Sequence, residues 1–333
     1  MSQAIQEGQA QFRSGMIALV GRPNVGKSTL LNHILQEKIA ITSPTPQTTR
    51  HRILGVRTLP NAQLVLLDTP GIHKPKYKLN HRMVQVAWES VQGADLILFL
   101  VEATGPPGIG DRFILEGIKK ARQPVILIIN KMDLIKKQEL LPLMDQYGKE
   151  HDFAEIIPIS ALKGENVDHL VDCLVKYLPE GGPFYSEDTL TDQSMRALAS
   201  EIIREKILHK TREEIPYAVA VVIEEFREGS HQALPGAAVG PGGIGGTAAP
   251  HGPPDRENDP DKNLTTIKAI ILVERDSQKG IVIGEGGRML KEVGQEARIE
   301  LETMWDRKIY LELWVKVKEN WRQDERVLKE LGY

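Results

Sequence analysis

Residues 16–28, MIALVGRPNVGKS, decide how the chain is read: an apolar run breaks into a glycine-bounded loop that ends in a lysine and a serine. From Gly21 through Arg22, Pro23, Asn24, Val25, Gly26 and Lys27 to Ser28 the loop fits G-x-x-x-x-G-K-[ST]. The two glycines let the backbone fold round an anion, Lys27 reaches the β- and γ-phosphates of a nucleotide, and the Ser28 hydroxyl can hold magnesium. The preceding run reads as a buried strand, and Thr29 to Gln36 as a helix whose positive N-terminal end faces the loop. A glycine turn ahead of an ordinary helix shares this pattern, and partners further along the chain separate the two readings.

Outward from the loop, short apolar runs alternate with helix-length segments, with strands expected at 16–20, 63–68, 95–101, 124–129 and 155–159. Runs rich in Val, Ile and Leu at this spacing imply an α/β domain: a mostly parallel sheet with helices on both faces and ligands at the carboxyl ends of the strands. Each further motif falls at such an end. After Gln63 to Leu67 come Asp68, Thr69, Pro70 and Gly71. The aspartate is placed to act on magnesium through water, and Gly71 to offer its N–H to a γ-phosphate and to hinge when that phosphate leaves. A plain turn would also use Pro and Gly here.

The strand at 124–129 runs into Asn130, Lys131, Met132 and Asp133. The Asp133 carboxylate can accept two hydrogen bonds from N1–H and the 2-amino group of guanine, a pair of donors that adenine lacks. Asn130 would brace the neighbouring loop, and the Lys131 stem would cover a face of the base. Ser160, Ala161 and Leu162 would complete the pocket with the Ala161 N–H.

The set GRPNVGKS, DTPG, NKMD and SAL resembles the translation-factor class of GTPases, and Gln47-Thr48-Thr49-Arg50-His51 resembles the switch I motif of the Era family within the TrmE-Era-EngA-like superfamily. The resemblance implies GTP hydrolysis, with GTP or GDP, Mg2+ and K+ as cofactors. It implies magnesium ligation by Ser28, Thr49 and Asp68, with Thr48 as the neighbouring alternative to Thr49. Where Ras-like proteins carry a water-orienting glutamine this chain has Ile72, which cannot orient water. The family resemblance instead implies that Asn24 helps hold potassium, so Lys27, Thr49, Gly71 and Asn24 form the expected catalytic set. A loop-shaping hydrogen bond is the plainer reading of Asn24. His73, Lys74, Lys76 and Lys78 read as a solvated cationic face.

Pro179-Glu180-Gly181-Gly182-Pro183 is a breaker run, so a flexible extension at 1–14 and a nucleotide domain at 15–182 are expected, with a second domain at 183–333. In the second domain Ser194 to Leu208 reads as an amphipathic helix, Tyr217 to Phe226 as a strand, and Thr265 to Val273 as another. Between these strands, 14 of the 34 residues at 229–262 are Gly or Pro, the composition of a flexible insert. Then Ile283, Gly284, Glu285, Gly286 and Gly287 lead into a helix from about Arg288 to Thr303 and a strand from Lys308 to Val317. This V-I-G-x-x-G sequence resembles the KH RNA-binding module, implying an α+β, type II KH-like domain. The turn would bring backbone close to RNA phosphates, with Arg288 and Lys291 supplying the cations that the Glu285-Gly286 pair lacks. Trp305, Trp314 and Trp321 are expected to pack rather than stack on bases.

Composition bounds the rest. The chain has 333 residues, 41% apolar and 26% charged, enough for two globular cores. A single cysteine, Cys173, excludes a disulfide framework within the chain and reads as a small apolar residue in a helix. The polar start, MSQAIQEGQAQFRS, lacks the apolar region of a secretion signal. A net charge of -3 does not advertise a nucleic-acid partner, and from Asn263 onward 13 basic residues face 13 acidic ones, so RNA must be gripped by shape and local charge. Taken over the chain, the resemblance implies a cytoplasmic, monomeric factor for 30S subunit assembly, capable of peripheral association with the inner membrane. Its partners would be 16S ribosomal RNA near the 3′ end and the small ribosomal subunit, not DNA. A GTPase of tRNA modification and an RNA scaffold with a weak nucleotide site are the alternatives.

Overall fold

The computed structural model describes residues 11–228 and 264–333, so the insert at 229–262 and most of the N-terminal extension lie outside the described residues. The first domain contains β1 (Arg13–Gly21), α1 (Lys27–Leu35), β2 (Ile53–Leu59), β3 (Ala62–Asp68), α2 (Lys78–Gln92), β4 (Leu96–Glu102) and α3 (Ile109–Ile118). It continues with β5 (Val125–Asn130), α4 (Leu140–Gly148), β6 (Glu155–Pro158) and α5 (Val167–Tyr177). The six strands run in the order β2-β3-β1-β4-β5-β6, parallel except for β2, which pairs antiparallel with β3. Their aliphatic side chains are buried on both faces, under α1 and α5 on one side and α2, α3 and α4 on the other. Cys173 packs in the α5 seam, 4% exposed.

Two expectations need correction here. Arg13 and Ser14 belong to β1 rather than to a flexible extension, because they pair with Ala62 and Gln63 of β3. The division expected at 182/183 falls inside a strap held by the first domain. Fully buried Gln63 accepts from the N–H groups of Phe184 and Tyr185 at 2.8 and 3.0 Å, and Val56 N–H donates to Leu190 C=O at 2.8 Å. A buried amide that bonds backbone on both sides anchors this strap despite its Pro and Gly content.

The second domain is built of α6 (Met195–Lys210), α7 (Ile215–Ala218), β7 (Ala220–Arg227), β8 (Leu264–Val273), α8 (Asp276–Ile283), α9 (Arg288–Trp305), β9 (Lys308–Val317) and α10 (Glu325–Glu330). Ser194 caps α6 by accepting from Ala197 N–H at 3.2 Å. The order helix, two strands, two helices, strand places β8 between antiparallel β7 and parallel β9, the arrangement of a type II KH domain. Tyr217 and Ala218, read as strand, instead form the short turn of α7, where Pro216 near its start presets the helical φ.

The domains meet through an apolar joint in which Leu79 and Met83 of α2 pack with Ala220, Trp321, Val327 and Leu328. The domains are also joined by Lys38, which donates to Glu205 of α6 at 2.6 Å and to Glu300 of α9 at 2.5 Å.

Candidate nucleotide and RNA sites

The phosphate loop leaves the carboxyl end of β1 and turns straight into α1. Gly26 sits at φ +98°, and a β-carbon there would come within 2.2 Å of the Asn130 amide nitrogen; only glycine fits. Lys27 is 6% exposed and lies over the loop, its Nζ donating to the carbonyls of Gly21 at 3.3 Å and Arg22 at 3.1 Å. Burial pushes its pKa down to about 8, partly opposed by the carboxylate of Asp68. Arg22 Nε donates to Asp111 of α3 at 2.7 Å, which fixes the start of the loop. Thr29 lines the same cleft, whose far side is formed by residues 41–43 and 47–49.

Three oxygens converge behind Lys27. Ser28 Oγ donates to Asp68 Oδ2 at 2.5 Å and lies 2.8 Å from Thr49 Oγ1, which is itself 3.4 Å from that carboxylate. Asp68 is wholly buried, burial pushes its pKa up, and its Oδ1 has no partner among the described residues. An orphaned buried carboxylate oxygen beside two hydroxyls is a hard-oxygen donor set, and magnesium typically takes one or two carboxylates plus substrate phosphates. The residues therefore fit a magnesium ion. Of the two threonines it is Thr49 that faces this cluster, since the Thr48 hydroxyl turns away to donate to Thr45 C=O at 2.7 Å.

The buried Thr69 hydroxyl donates to Leu19 C=O at 2.7 Å and ties the next segment to β1. Beyond Pro70, Gly71 lies against the phosphate loop so closely that a β-carbon would stand 2.6 Å from Pro23 N. Ile72 is 1% exposed, and its N–H donates to Gly21 C=O at 3.1 Å, so neither side chain nor amide is free to act on water. His73 is not simply part of a solvated face. Its Nδ1 lies 2.9 Å from Gly71 C=O and its Nε2 3.0 Å from Gln47 Nε2, while Gln47 Oε1 accepts from Asn80 of α2 at 3.0 Å. These partners fix Nδ1–H as donor and Nε2 as acceptor. Gln47 stood in the sequence only as part of the switch I motif and Asn80 not at all, because these contacts join side chains 26 and 33 residues apart.

At the end of β5, Asn130 is 3% exposed and bonds in two directions, donating to Val25 C=O at 2.8 Å and accepting from Ala161 N–H at 2.9 Å. The Ala161 N–H, assigned from sequence to the base, thus serves the brace between the two loops. Lys131 is held by Glu102 at the end of β4, a partner that the sequence reading missed. Met132 N–H donates to Ile159 C=O at 3.1 Å, Asp133 lies 3.9 Å from Lys163, and Ser160 Oγ accepts from Lys163 N–H at 3.3 Å. Leu162 is 79% exposed and stands out from the buried Ser160 and Ala161.

In the second domain α8 stops at Ile283, and Gly284, Gly286 and Gly287 take φ of +74°, +60° and +79°, values that favour glycine. Among the described residues nothing lies within 4 Å of a β-carbon placed on Gly286 or Gly287, which leaves this backbone open to a ligand. Glu285, Arg288 and Lys291 are exposed around it, whereas Ile283 packs on the domain core. An open groove runs from Gly287 between α9 and β9, lined by Leu290, Lys291, Gly294, Gln295, Arg298, Leu311 and Leu313. All of these but Lys291 lay unremarked in the sequence apart from their spacing of three or four along α9 or two along β9. Trp305 and Trp321 are buried as expected, but Trp314 is 57% exposed on the outer face of β9, its indole N–H donating to Glu312 at 3.0 Å.

Comparison with known proteins gives two family matches: residues 16–131 match a family described as 50S ribosome-binding GTPase, and residues 257–322 match the KH domain. The chain is 48% identical to GTPase Era of Geobacter metallireducens, over 97% of this chain and 98% of that one. It is equally 48% identical to GTPase Era of Syntrophus aciditrophicus, covering 97% and 95%. A crystal structure of Era in complex with MgGDPNP and nucleotides 1506–1542 of 16S ribosomal RNA superposes with a TM-score of 0.86 at 44% identity, covering 97% of this chain and 99% of that one.

Proposed function

The chain belongs to the Era family of GTPases, and from that premise we propose that it binds 16S ribosomal RNA near its 3′ end and serves assembly of the small ribosomal subunit. The observation that carries the catalytic half is the convergence of Ser28, Thr49 and Asp68 behind Lys27. In this reading residues 13–191 form the nucleotide domain and residues 192–333 the RNA domain of a cytoplasmic monomer, able to associate peripherally with the inner membrane.

The reaction is hydrolysis of GTP to GDP and phosphate. Gly21 to Thr29 wrap the phosphates with backbone N–H groups, and the Lys27 ammonium neutralises charge between the β- and γ-phosphoryl groups. Ser28, Thr49 and Asp68 hold magnesium, which when bound neutralises charge developing on the phosphate oxygens. Gly71 donates its N–H to the γ-phosphate. The packing of Gly71 on Pro23 makes loss of that phosphate felt along residues 68–73. Asp133 selects guanine, and Lys131 with Met132 and Leu162 flanks the base. Because Ile72 has no group for water, acceleration comes from positioning and charge neutralisation. Asn24 Nδ2 donates to Pro44 C=O at 2.5 Å, which leaves Oδ1 as the atom that would take potassium. Turnover in sodium should then fall well below turnover in potassium, and Asn24→Ala should erase the difference; equal rates for wild type in both salts would refute this role.

On the RNA side, the Gly284–Gly287 turn takes the phosphate backbone and the groove beyond it takes about four unstacked nucleotides. Phosphate release from GTP, with and without an RNA carrying the small-subunit 3′ segment, tests the whole reading. Stimulation by that RNA supports it. Hydrolysis that a tRNA stimulates and the rRNA does not would favour a tRNA-modification role, and no hydrolysis under either condition would favour a scaffold.

A further inference from the structure

The loop between α1 and β2, which carries Thr49, is bonded to both domains: Thr49 and Gln47 reach Ser28, Asp68 and His73 of the first, and other residues of the loop reach the second. Thr42 N–H donates to Glu205 Oε1 at 2.8 Å, and Thr42 C=O accepts from His209 Nε2 at 2.9 Å. Arg50 is 3% exposed and donates to the carbonyls of Val219 at 2.7 Å and Pro216 at 3.0 Å, with its guanidinium 5.7 Å from the Trp321 ring centre. His51 stacks on Tyr333 with centroids 4.4 Å apart. On the other side of Thr49, the Thr48 carbonyl accepts from Nη2 of Arg204, a residue of α6 that is 1% exposed and held by Glu201 through Nε at 2.9 Å. Thr49 is thus bracketed by two residues, each tied to buried groups of the second domain.

The Thr48 carbonyl and the Thr49 nitrogen share one rigid peptide plane, so fixing that carbonyl restricts where the Thr49 hydroxyl can lie. A loop with no such anchors would have to be ordered each time the metal bound. We propose that Arg204 is a positioning residue for GTP hydrolysis: by holding the Thr48 carbonyl it keeps the Thr49 hydroxyl beside Ser28 and Asp68, so the RNA-binding domain completes the magnesium site of the nucleotide domain. Any ligand that shifts α6 against the first domain would then alter the magnesium requirement of turnover. This inference rests on the reading of Thr49 as a magnesium ligand.

The test measures, for the full chain, magnesium affinity in the presence of a non-hydrolysable GTP analogue by calorimetric titration, beside GTP turnover against magnesium concentration. Arg204→Met is paired with Glu201→Gln so that no carboxylate is left buried without its partner. Loss of one hydrogen bond from a charged donor should raise the half-saturating magnesium concentration roughly tenfold, with turnover largely restored at saturating magnesium. Thr49→Ala should raise it at least as far, and the triple variant should be no worse than Thr49→Ala, because all the changes act through one hydroxyl. If Thr49→Ala leaves the magnesium requirement unchanged, the ligand reading itself fails. If Thr49→Ala shifts it but the Arg204 variant does not, or if the two effects multiply, the positioning role is overturned while the ligand reading stands. Should the paired variant fail to fold by circular dichroism, Arg204→Lys keeps the ion pair to Glu201 and must show a smaller shift of the same sign; no shift there would overturn the role.

Discussion

Asn130→Ala gives the account its best-defined energetic test. The carboxamide satisfies Val25 C=O and Ala161 N–H, and both residues are 1% exposed, so water cannot replace it without opening the loops. Leaving a buried polar group unpaired costs about 1–3 kcal/mol, so two such groups give a loss of about 2–6 kcal/mol. Both belong to loops that must hold the nucleotide, and if about 3 kcal/mol of the loss falls on the bound state, affinity drops on the order of 100-fold. The assay is urea denaturation with and without magnesium-GDP, together with titration of a fluorescent GDP analogue. A stability change below about 0.5 kcal/mol with affinity within twofold of wild type would refute the brace, since it would mean that the loops find other partners at no cost.

Gly71→Ala should cut GTP turnover by more than about tenfold while leaving GDP affinity within a few fold, because the added β-carbon strikes Pro23 where the γ-phosphate is sensed; rapid-quench kinetics compare the two. Lys291→Ala and Arg298→Ala should weaken RNA binding and lower the salt slope by about 1 for each RNA phosphate left without its cation, measured by anisotropy at several salt concentrations. Trp305→Ala should cost about 3–5 kcal/mol in denaturant titrations, and Trp314→Ala within about 0.5 kcal/mol, since only the former is buried.

What was legible in the sequence was whatever is local. The phosphate loop, D-T-P-G, N-K-M-D and the glycine turn each place backbone and side chain within a few consecutive residues, and the strands before them are continuous apolar runs. β2 escaped notice because ILGVRTL is interrupted by a glycine that α1 needs for close approach, where a β-carbon would lie 2.5 Å from Leu35. Trp314 was misjudged because one strand position decides between core and solvent. Arg50, read from sequence only as part of a motif, bonds carbonyls 166 and 169 residues away, and Gln47 acquires its partners only once α2 folds beside it. The joint between domains was invisible for the same reason: nothing in the apolar pattern of α2 says that Leu79 and Met83 meet Trp321.

Crosslinking of the full chain to cellular RNA, mapped at nucleotide resolution with the protein locked by a non-hydrolysable GTP analogue and again with GDP, tests the central claim most directly. The account predicts crosslinks from the Gly284–Gly287 turn and the α9–β9 groove to single-stranded nucleotides near the 3′ end of 16S rRNA, strong with the GTP analogue and weak with GDP. The same crosslinks at equal strength in both states would contradict the coupling of nucleotide to RNA grip, and crosslinks concentrated on another RNA would contradict the assigned partner.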